Sequence, residues 1–150
     1  QPIGGRMERV SLPRNIILIN DTYNANPQSM EVALRSLAEL KGESRGVAVL
    51  GDMGELGSSA AAAHRTTGAL VAELGLDFLF ALGQFAADIA EGATEAGMNP
   101  RRVHVGASHD ETSRKLRQIL QGNDWVLVKG SRSMQMERVV EALTRGGDPS

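Results

Sequence analysis

Short apolar runs alternate with longer stretches of helical hydrophobic spacing along most of the chain. The apolar runs predict six strands, at residues 9–12, 16–19, 46–50, 77–81, 103–105 and 125–128. The helical spacing predicts five helices, at residues 27–40, 59–74, 85–96, 111–120 and 134–143. This alternation indicates parallel strands joined by right-handed crossovers, with helices on both faces of the sheet.

The predicted fold class is therefore α/β: a Rossmann-like three-layer domain whose mostly parallel sheet has about six strands. Polar residues interrupt the first strand, so we expect it to be an antiparallel edge strand or half of a hairpin with the second. The helix over 27–40 spaces its large apolar residues mostly by three and four, which predicts one face packed on the sheet. These residues are Met30, Val32, Leu34, Leu37 and Leu40.

Polar clusters follow the predicted carboxyl ends of five strands. They occupy residues 20–26, 51–55, 83–84, 106–109 and 129–132. In a parallel sheet these ends lie along one edge of the domain, so segments far apart in sequence converge on one surface. Ligands of open α/β sheets bind at that edge, and we expect the functional site there.

The first cluster separates into residues with a structural explanation and residues without one. Asn26 can cap the following helix, and Pro27 suits its first position. Asp21 could accept hydrogen bonds from ligand hydroxyls, although a local backbone bond would also explain it. Tyr23, the only tyrosine, could form a hydrophobic lid, and Asn24 is left free to face a ligand.

Two further clusters carry opposite charges. Asp52 and Glu55 lie in a glycine-rich loop and could hold a substrate ammonium or the water shell of a magnesium ion, or could simply face solvent. Lys129, Ser131 and Arg132 suit an anionic group, with solvated surface cations as the alternative. A similar basic side chain, Arg6, follows Gly4 and Gly5 in what reads as a flexible lead-in.

Composition excludes several classes of function. The chain has 150 residues, a net charge of −2 and no cysteine, so disulfides and thiolate chemistry are excluded. No Lys/Arg block favours nucleic acid and no apolar stretch would span a membrane, while the lack of cysteine is compatible with a reducing cytoplasm. The phosphate-binding motif G-x-x-x-x-G-K-[ST] and the dinucleotide motif G-x-G-x-x-G are both absent. The chain does not resemble a self-sufficient enzyme, and its first residue, glutamine, suggests a fragment.

The three histidines do not form a metal-binding pair on one helix face. They are His64, His104 and His109. From the usual exposure of histidine side chains, we expect His64 to lie on a helix surface.

Four sequence blocks together resemble the C-terminal domain of the Mur ligases. The blocks are G-R-M-E at 5–8, D-T-Y-N-A-N-P-Q-S-M at 21–30, L-G-D-M-G-E-L-G at 50–57 with His64, and V-L-V-K-G-S-R at 126–132. The resemblance covers essentially the whole chain, in order. The D-x-Y-N-A-N-P block is most similar to the branch that adds D-Ala-D-Ala to UDP-muramoyl tripeptide, since other branches carry Y-A-H-x-P or G-A-H-N-P there.

The resemblance implies a three-domain cytoplasmic ligase of peptidoglycan synthesis, which activates the peptide carboxylate with ATP as an acyl phosphate before the amine attacks. ATP and Mg²⁺ would be bound mainly by a central domain outside this chain. Residues 1–7 would be the hinge from that domain, 8–145 the C-terminal domain and 146–150 a flexible tail. The partners would be the other two domains, UDP-muramoyl tripeptide and D-Ala-D-Ala. We expect the isolated chain to be inactive, with no catalytic residue or metal ligand of its own.

Residue by residue, the resemblance assigns nucleotide contacts to Arg6 and to Asp21, the latter near the ribose. With the chemistry of the strand-end clusters, it predicts a set of substrate-binding residues. These are Tyr23, Asn24, Asn26, Asp52, Glu55, Lys129, Ser131 and Arg132. Arg132 is expected to hold the carboxylate of the dipeptide, because a guanidinium matches a carboxylate with two parallel hydrogen bonds.

Two alternatives remain open from sequence. A sister ligase would use a different amine substrate. A stand-alone α/β module of the receiver type would use Asp52 as a phosphorylated residue and Lys129 as its partner, although Asp21 lacks the neighbouring carboxylate that such a site needs.

Overall fold

The computed structural model describes residues 4–145, which fold around one six-stranded sheet. The strands are β1 Glu8–Leu12, β2 Ile16–Asp21, β3 Gly46–Leu50, β4 Phe78–Ala81, β5 Val103–Val105 and β6 Trp125–Lys129. The helices are α1 Pro27–Lys41, α2 Ala60–Glu73, α3 Ala86–Glu95, α4 His109–Ile119 and α5 Glu137–Arg145. All the predicted elements are present. The predicted tail, 146–150, and hinge residues 1–3 lie outside the described residues.

The strand order is β1-β2-β6-β3-β4-β5. Only β1 and β2 pair antiparallel, with Val10 opposite Leu18, and the other pairs are parallel. The chain moves outward from β2 to β5 and then returns to place β6 between β2 and β3. The predicted α/β class, the parallel sheet and the antiparallel edge strand are confirmed.

Alternate residues of each central strand enter two separate cores. Ile19, Leu50 and Leu127 belong to the core under α1, α2 and α3. Their neighbours Leu18 and Val126 belong to the core under α4 and α5. Both faces of the sheet are therefore covered, which explains why its strands are nearly continuous apolar runs.

The start of α1 was predicted correctly, but its buried face was not. Asn26 accepts from the Ser29 N–H at 2.8 Å, and Ser29 Oγ in turn accepts from the Asn26 N–H, completing a capping box. The prediction that Val32 and Leu40 join the core is wrong, since they are 59% and 39% exposed. Val32 lies about 200° around the helix from Met30, on the opposite side from the buried stripe.

The ends of α4 and α5 also differ from prediction. Helix α4 begins at His109, because Ser108 caps it by accepting from the Glu111 N–H at 3.0 Å. Helix α5 begins only at Glu137, because Arg132–Met134 forms a 3-10 turn and Gln135 has a left-handed backbone, with φ 51°. That 3-10 turn contains Arg132, one of the residues predicted to bind substrate.

Glu111 provides a pH-dependent contribution to stability. Partial burial by itself would raise the pKa of Glu111, but the Ala107 N–H, His104 and Lys115 together lower it below its ordinary value of 4.5. A depressed folded-state pKa stabilises the fold above the unfolded-state pKa, and this is lost as pH falls through the folded-state value. The difference in free energy of unfolding between wild type and Glu111→Gln should therefore become smaller as the pH falls from about 5 to about 3. Urea unfolding at a series of pH values would measure it, and a constant gap would contradict the prediction.

Every helix described between residues 4 and 145 is too short or too polar to span a lipid bilayer.

Candidate functional site

Three strand ends meet at the centre of the sheet, because β6 lies between β2 and β3. The register places Lys129 beside both Asp21 and Leu50. The loops beyond these ends bond to one another: the Gly51 N–H donates to Lys129 O, and the Ser131 N–H donates to Asp52 O, each at 2.8 Å. The predicted convergence of the first, second and last polar clusters is therefore observed.

A buried ion pair joins the ends of β2 and β6. Lys129 Nζ lies 2.8 Å from Asp21 Oδ2 and also donates to Asn24 O at 3.0 Å. The two side chains are 3% and 10% exposed. The other carboxylate oxygen of Asp21 accepts from the Met7 N–H at 3.2 Å. Asp21 and Lys129 were predicted separately from sequence, and their pairing was missed.

The lead-in segment, residues 4–7, contacts the β2–α1 loop through a backbone hydrogen bond and a cation–π interaction. The Tyr23 N–H donates to Gly5 O at 2.8 Å. Gly5 has φ +84°, and a Cβ there would lie 3.1 Å from Thr22 Oγ1. The guanidinium carbon of Arg6 lies 4.1 Å from the centroid of the Tyr23 ring, within the range of a cation–π interaction. Residues 5–7 therefore form part of the site's wall.

These contacts border an open cavity of about 500 Å³ between the lead-in segment, the β2–α1 loop and the first turns of α1. Six of the predicted residues line it, namely Arg6, Asp21, Tyr23, Asn24, Asn26 and Lys129. Sequence reasoning missed five others, namely Met7, Gln28, Ser29, Val32 and Ala33. Among these five, the sequence contains a hint only at Val32, because a large apolar residue lies there on the polar side of α1.

Asp52 and Glu55 lie outside that cavity. Both Asp52 carboxylate oxygens accept backbone N–H groups, from Gln84 and Phe85, each at 2.8 Å, just before α3 begins. Gly83 has φ +111°, and a Cβ there would lie 2.6 Å from this carboxylate. Glu55 is exposed and has φ 59°. The contacts give Asp52 a structural role that sequence did not predict.

Ser131 and Arg132 border the same edge of the sheet from the other side. Ser131 is buried, and its hydroxyl lies 3.1 Å from that of Ser133. Arg132 is 61% exposed; its guanidinium carbon is 5.4 Å from the Tyr23 ring centroid, and its Nη1 is 4.0 Å from Glu137 Oε2. The Tyr23 ring therefore has both Arg6 of the lead-in segment and Arg132 of the 3-10 turn within cation–π distance.

The prediction that His64 lies on a helix surface is wrong. Its side chain is completely buried, stacked on Phe85 at 4.5 Å, with both ring nitrogens in hydrogen bonds. The buried position follows from its place on the inner face of α2, one turn after Ala60. Within residues 4–145, no group of three or more His, Asp or Glu side chains is arranged to hold a metal ion.

The sequence model of the family described as "Mur ligase, glutamate ligase domain" matches residues 5–132. The chain belongs to this Mur ligase family. The matched range includes every residue predicted to bind a ligand, from Arg6 to Arg132. Family membership excludes the receiver-type alternative, and the geometry agrees, since Lys129 bonds to Asp21 rather than to Asp52.

Two curated relatives of this Mur ligase domain carry the same name, UDP-N-acetylmuramoyl-tripeptide–D-alanyl-D-alanine ligase. The Bacillus subtilis (strain 168) protein is 35% identical over 93% of the chain, and the Escherichia coli (strain K12) protein is 37% identical over 97%. The chain spans 30% of the length of each relative.

Solved structures agree with the fold. MurF from Acinetobacter baumannii superposes with a TM-score of 0.84 at 34% identity, over 97% of this Mur ligase domain and 31% of that chain. MurF ligase from Thermotoga maritima, solved in complex with ADP, has a TM-score of 0.80 at 23% identity over 97% and 31% of the two chains.

Proposed function

We propose that this chain is the C-terminal domain of a cytoplasmic, ATP-dependent ligase that adds D-Ala-D-Ala to UDP-N-acetylmuramoyl tripeptide during peptidoglycan synthesis. The observation that carries the proposal is the cavity at the ends of β2 and β6, which lies within the family match and combines a buried ion pair with an exposed arginine. The names of the relatives support the choice of dipeptide. Residues 1–7 would then be the hinge from a central ATPase domain.

The cavity is suited to an anionic ligand. Lys129 uses two of its three ammonium hydrogens on Asp21 and Asn24, which leaves one for a ligand in the cavity. Arg6 also lines the cavity and is exposed. We assign Arg6 and Asp21 to the nucleotide, with Asp21 accepting from a ribose hydroxyl through lone pairs that its protein contacts leave unused.

The remaining residues would serve the transfer step. ATP would transfer its terminal phosphate to the tripeptide carboxylate, which releases ADP and forms an acyl phosphate, and the amine would then displace inorganic phosphate. Mg²⁺ would be held mainly by residues outside this chain. Tyr23, Asn24 and Asn26 would line the space where the amine approaches, while Ser131 and Arg132 hold the dipeptide. Closing this domain over the acyl phosphate excludes water, so that the amine rather than water attacks the activated carbonyl.

Phosphate release by the full-length gene product tests the proposed function. With UDP-muramoyl tripeptide and MgATP present, release should depend on D-Ala-D-Ala, and the 150-residue chain alone should release none. Release driven by another amine would keep the ligase chemistry and overturn the dipeptide assignment. Absence of any amine-dependent release, with the tripeptide substrate verified, would overturn the proposed function.

Arg132→Ala should raise the KM for D-Ala-D-Ala on the order of 10- to 100-fold, because a lost hydrogen bond between charged groups weakens binding by about that factor. The KM for MgATP should stay within about twofold, because the nucleotide is assigned to Arg6 and Asp21. Arg138→Ala, which removes an exposed arginine from α5, is the matched control for net charge. An unchanged KM for the dipeptide in Arg132→Ala would remove this residue from the site.

A further inference from the structure

His64 makes a set of contacts that specifies one form of its ring. Nδ1 lies 2.7 Å from Ala60 O, and Nε2 lies 2.9 Å from the Met53 backbone nitrogen. A carbonyl oxygen can only accept, so Nδ1 carries the hydrogen and Nε2 accepts from the Met53 N–H. The ring is therefore a neutral hydrogen-bond acceptor, held by α2 and aimed at the loop that follows β3.

That loop contacts both other loops of the site. Next to Met53, Asp52 O accepts from the Ser131 N–H at 2.8 Å, and the Gly54 N–H donates to Ala25 O at 3.4 Å. Met53 itself is buried. The peptide unit that joins Asp52 to Met53 therefore bonds to His64 through its N–H and to the Ser131 N–H through its oxygen.

We propose that His64 is a positioning residue that, by holding the Met53 N–H, sets the placement of Ser131 and Arg132 for the amine substrate. The role rests on the proposed function, in which these two residues hold the dipeptide. His64 has no exposed surface, so it acts through the loop and touches no substrate.

Two substitutions separate the hydrogen bond from packing. His64→Gln keeps an acceptor near the position of Nε2 but loses the aromatic stack. His64→Phe keeps a ring against Phe85 but leaves the Met53 N–H without its acceptor. If the bond positions the loop, His64→Phe should raise the KM for D-Ala-D-Ala about tenfold, whereas His64→Gln should change it less than about threefold. The KM for MgATP should not rise more in His64→Phe than in His64→Gln.

A matched control is Val71→Ala, which truncates a buried side chain two turns further along the same helix. It should lower the thermal midpoint without changing the KM for the dipeptide. Equal KM changes in the two His64 variants, or none in His64→Phe, would overturn the proposal. If wild-type enzyme shows no dipeptide-dependent phosphate release, the proposed function fails, and amide NMR of the 150-residue chain tests the positioning role by itself. His64→Phe should shift the amide signals of Ser131 and Arg132. Unshifted signals would overturn the positioning role.

If His64→Phe does not fold, amide hydrogen exchange of the wild-type chain tests the positioning role instead. If one hydrogen-bonded unit holds the loop and the turn together, the Met53 and Ser131 amides should become exposed in the same opening event and exchange with similar protection. Protection factors that differ more than about tenfold would contradict the proposal.

Discussion

Gly68→Ala should destabilise the domain severely, although alanine is the better helix former. A Cβ at Gly68 would lie 1.9 Å from Ile89 O, and one at Gly92 would lie 2.0 Å from Arg65 O. Helices α2 and α3 therefore touch backbone to backbone at two points, and each glycine is required by the other helix. Backbone atoms cannot rotate away as a side-chain end can, so the helices must separate.

The expected loss for Gly68→Ala is about 3 kcal/mol or more, the upper range of overpacking penalties. In a chain of this length it corresponds to a fall of roughly 6–12 °C in the thermal midpoint. Helix propensity alone would give the opposite sign, a gain of about 1 kcal/mol. Thermal and urea unfolding of the 150-residue chain measure the effect. Thr66→Ala, at an exposed position of α2, should change little, and a stability gain in Gly68→Ala would refute the close contact.

Lys129→Met should produce the second large effect. It would leave the Asp21 carboxylate buried with only the Met7 N–H, and would remove the donor from Asn24 O. Breaking a buried ion pair by removing one partner costs about 3–5 kcal/mol, because the remaining charge is left uncompensated. The double variant Asp21→Asn/Lys129→Met should be less destabilised than Lys129→Met alone, since neither charge remains. A double variant that loses at least as much stability as the single one would contradict this.

A second ion pair provides the control for function. Arg45 Nη2 lies 2.8 Å from Asp124 Oδ2 near the amino ends of β3 and β6, at the opposite edge of the sheet from the cavity. Asp124→Asn should also lower the free energy of unfolding. In the full-length enzyme, below the unfolding transition of both variants, Lys129→Met should reduce dipeptide-dependent phosphate release whereas Asp124→Asn should not. Equal losses would mean that Lys129 contributes to stability alone.

The local features of the fold were predictable because their causes are local. The apolar run 46–50 predicted β3 with both bounds correct, and Asn26-Pro27 predicted where α1 begins. The expected site at the carboxyl ends of the strands is also a local inference, because it requires only that the strands be parallel. Six of the predicted binding residues line the observed cavity.

Sequence alone determined the α/β class, the elements, the edge of the sheet that carries the cavity, and the motifs that resemble Mur ligases. The tertiary structure sets how the charges pair: Asp21 and Lys129 are 108 residues apart and meet because β6 inserts between β2 and β3. It also decided that His64 is buried, that Val32 faces the cavity, and that Asp52 bonds to the start of α3. Periodicity and capping depend on neighbours within a few residues, whereas these pairings depend on strand order and helix contacts, which no local pattern specifies.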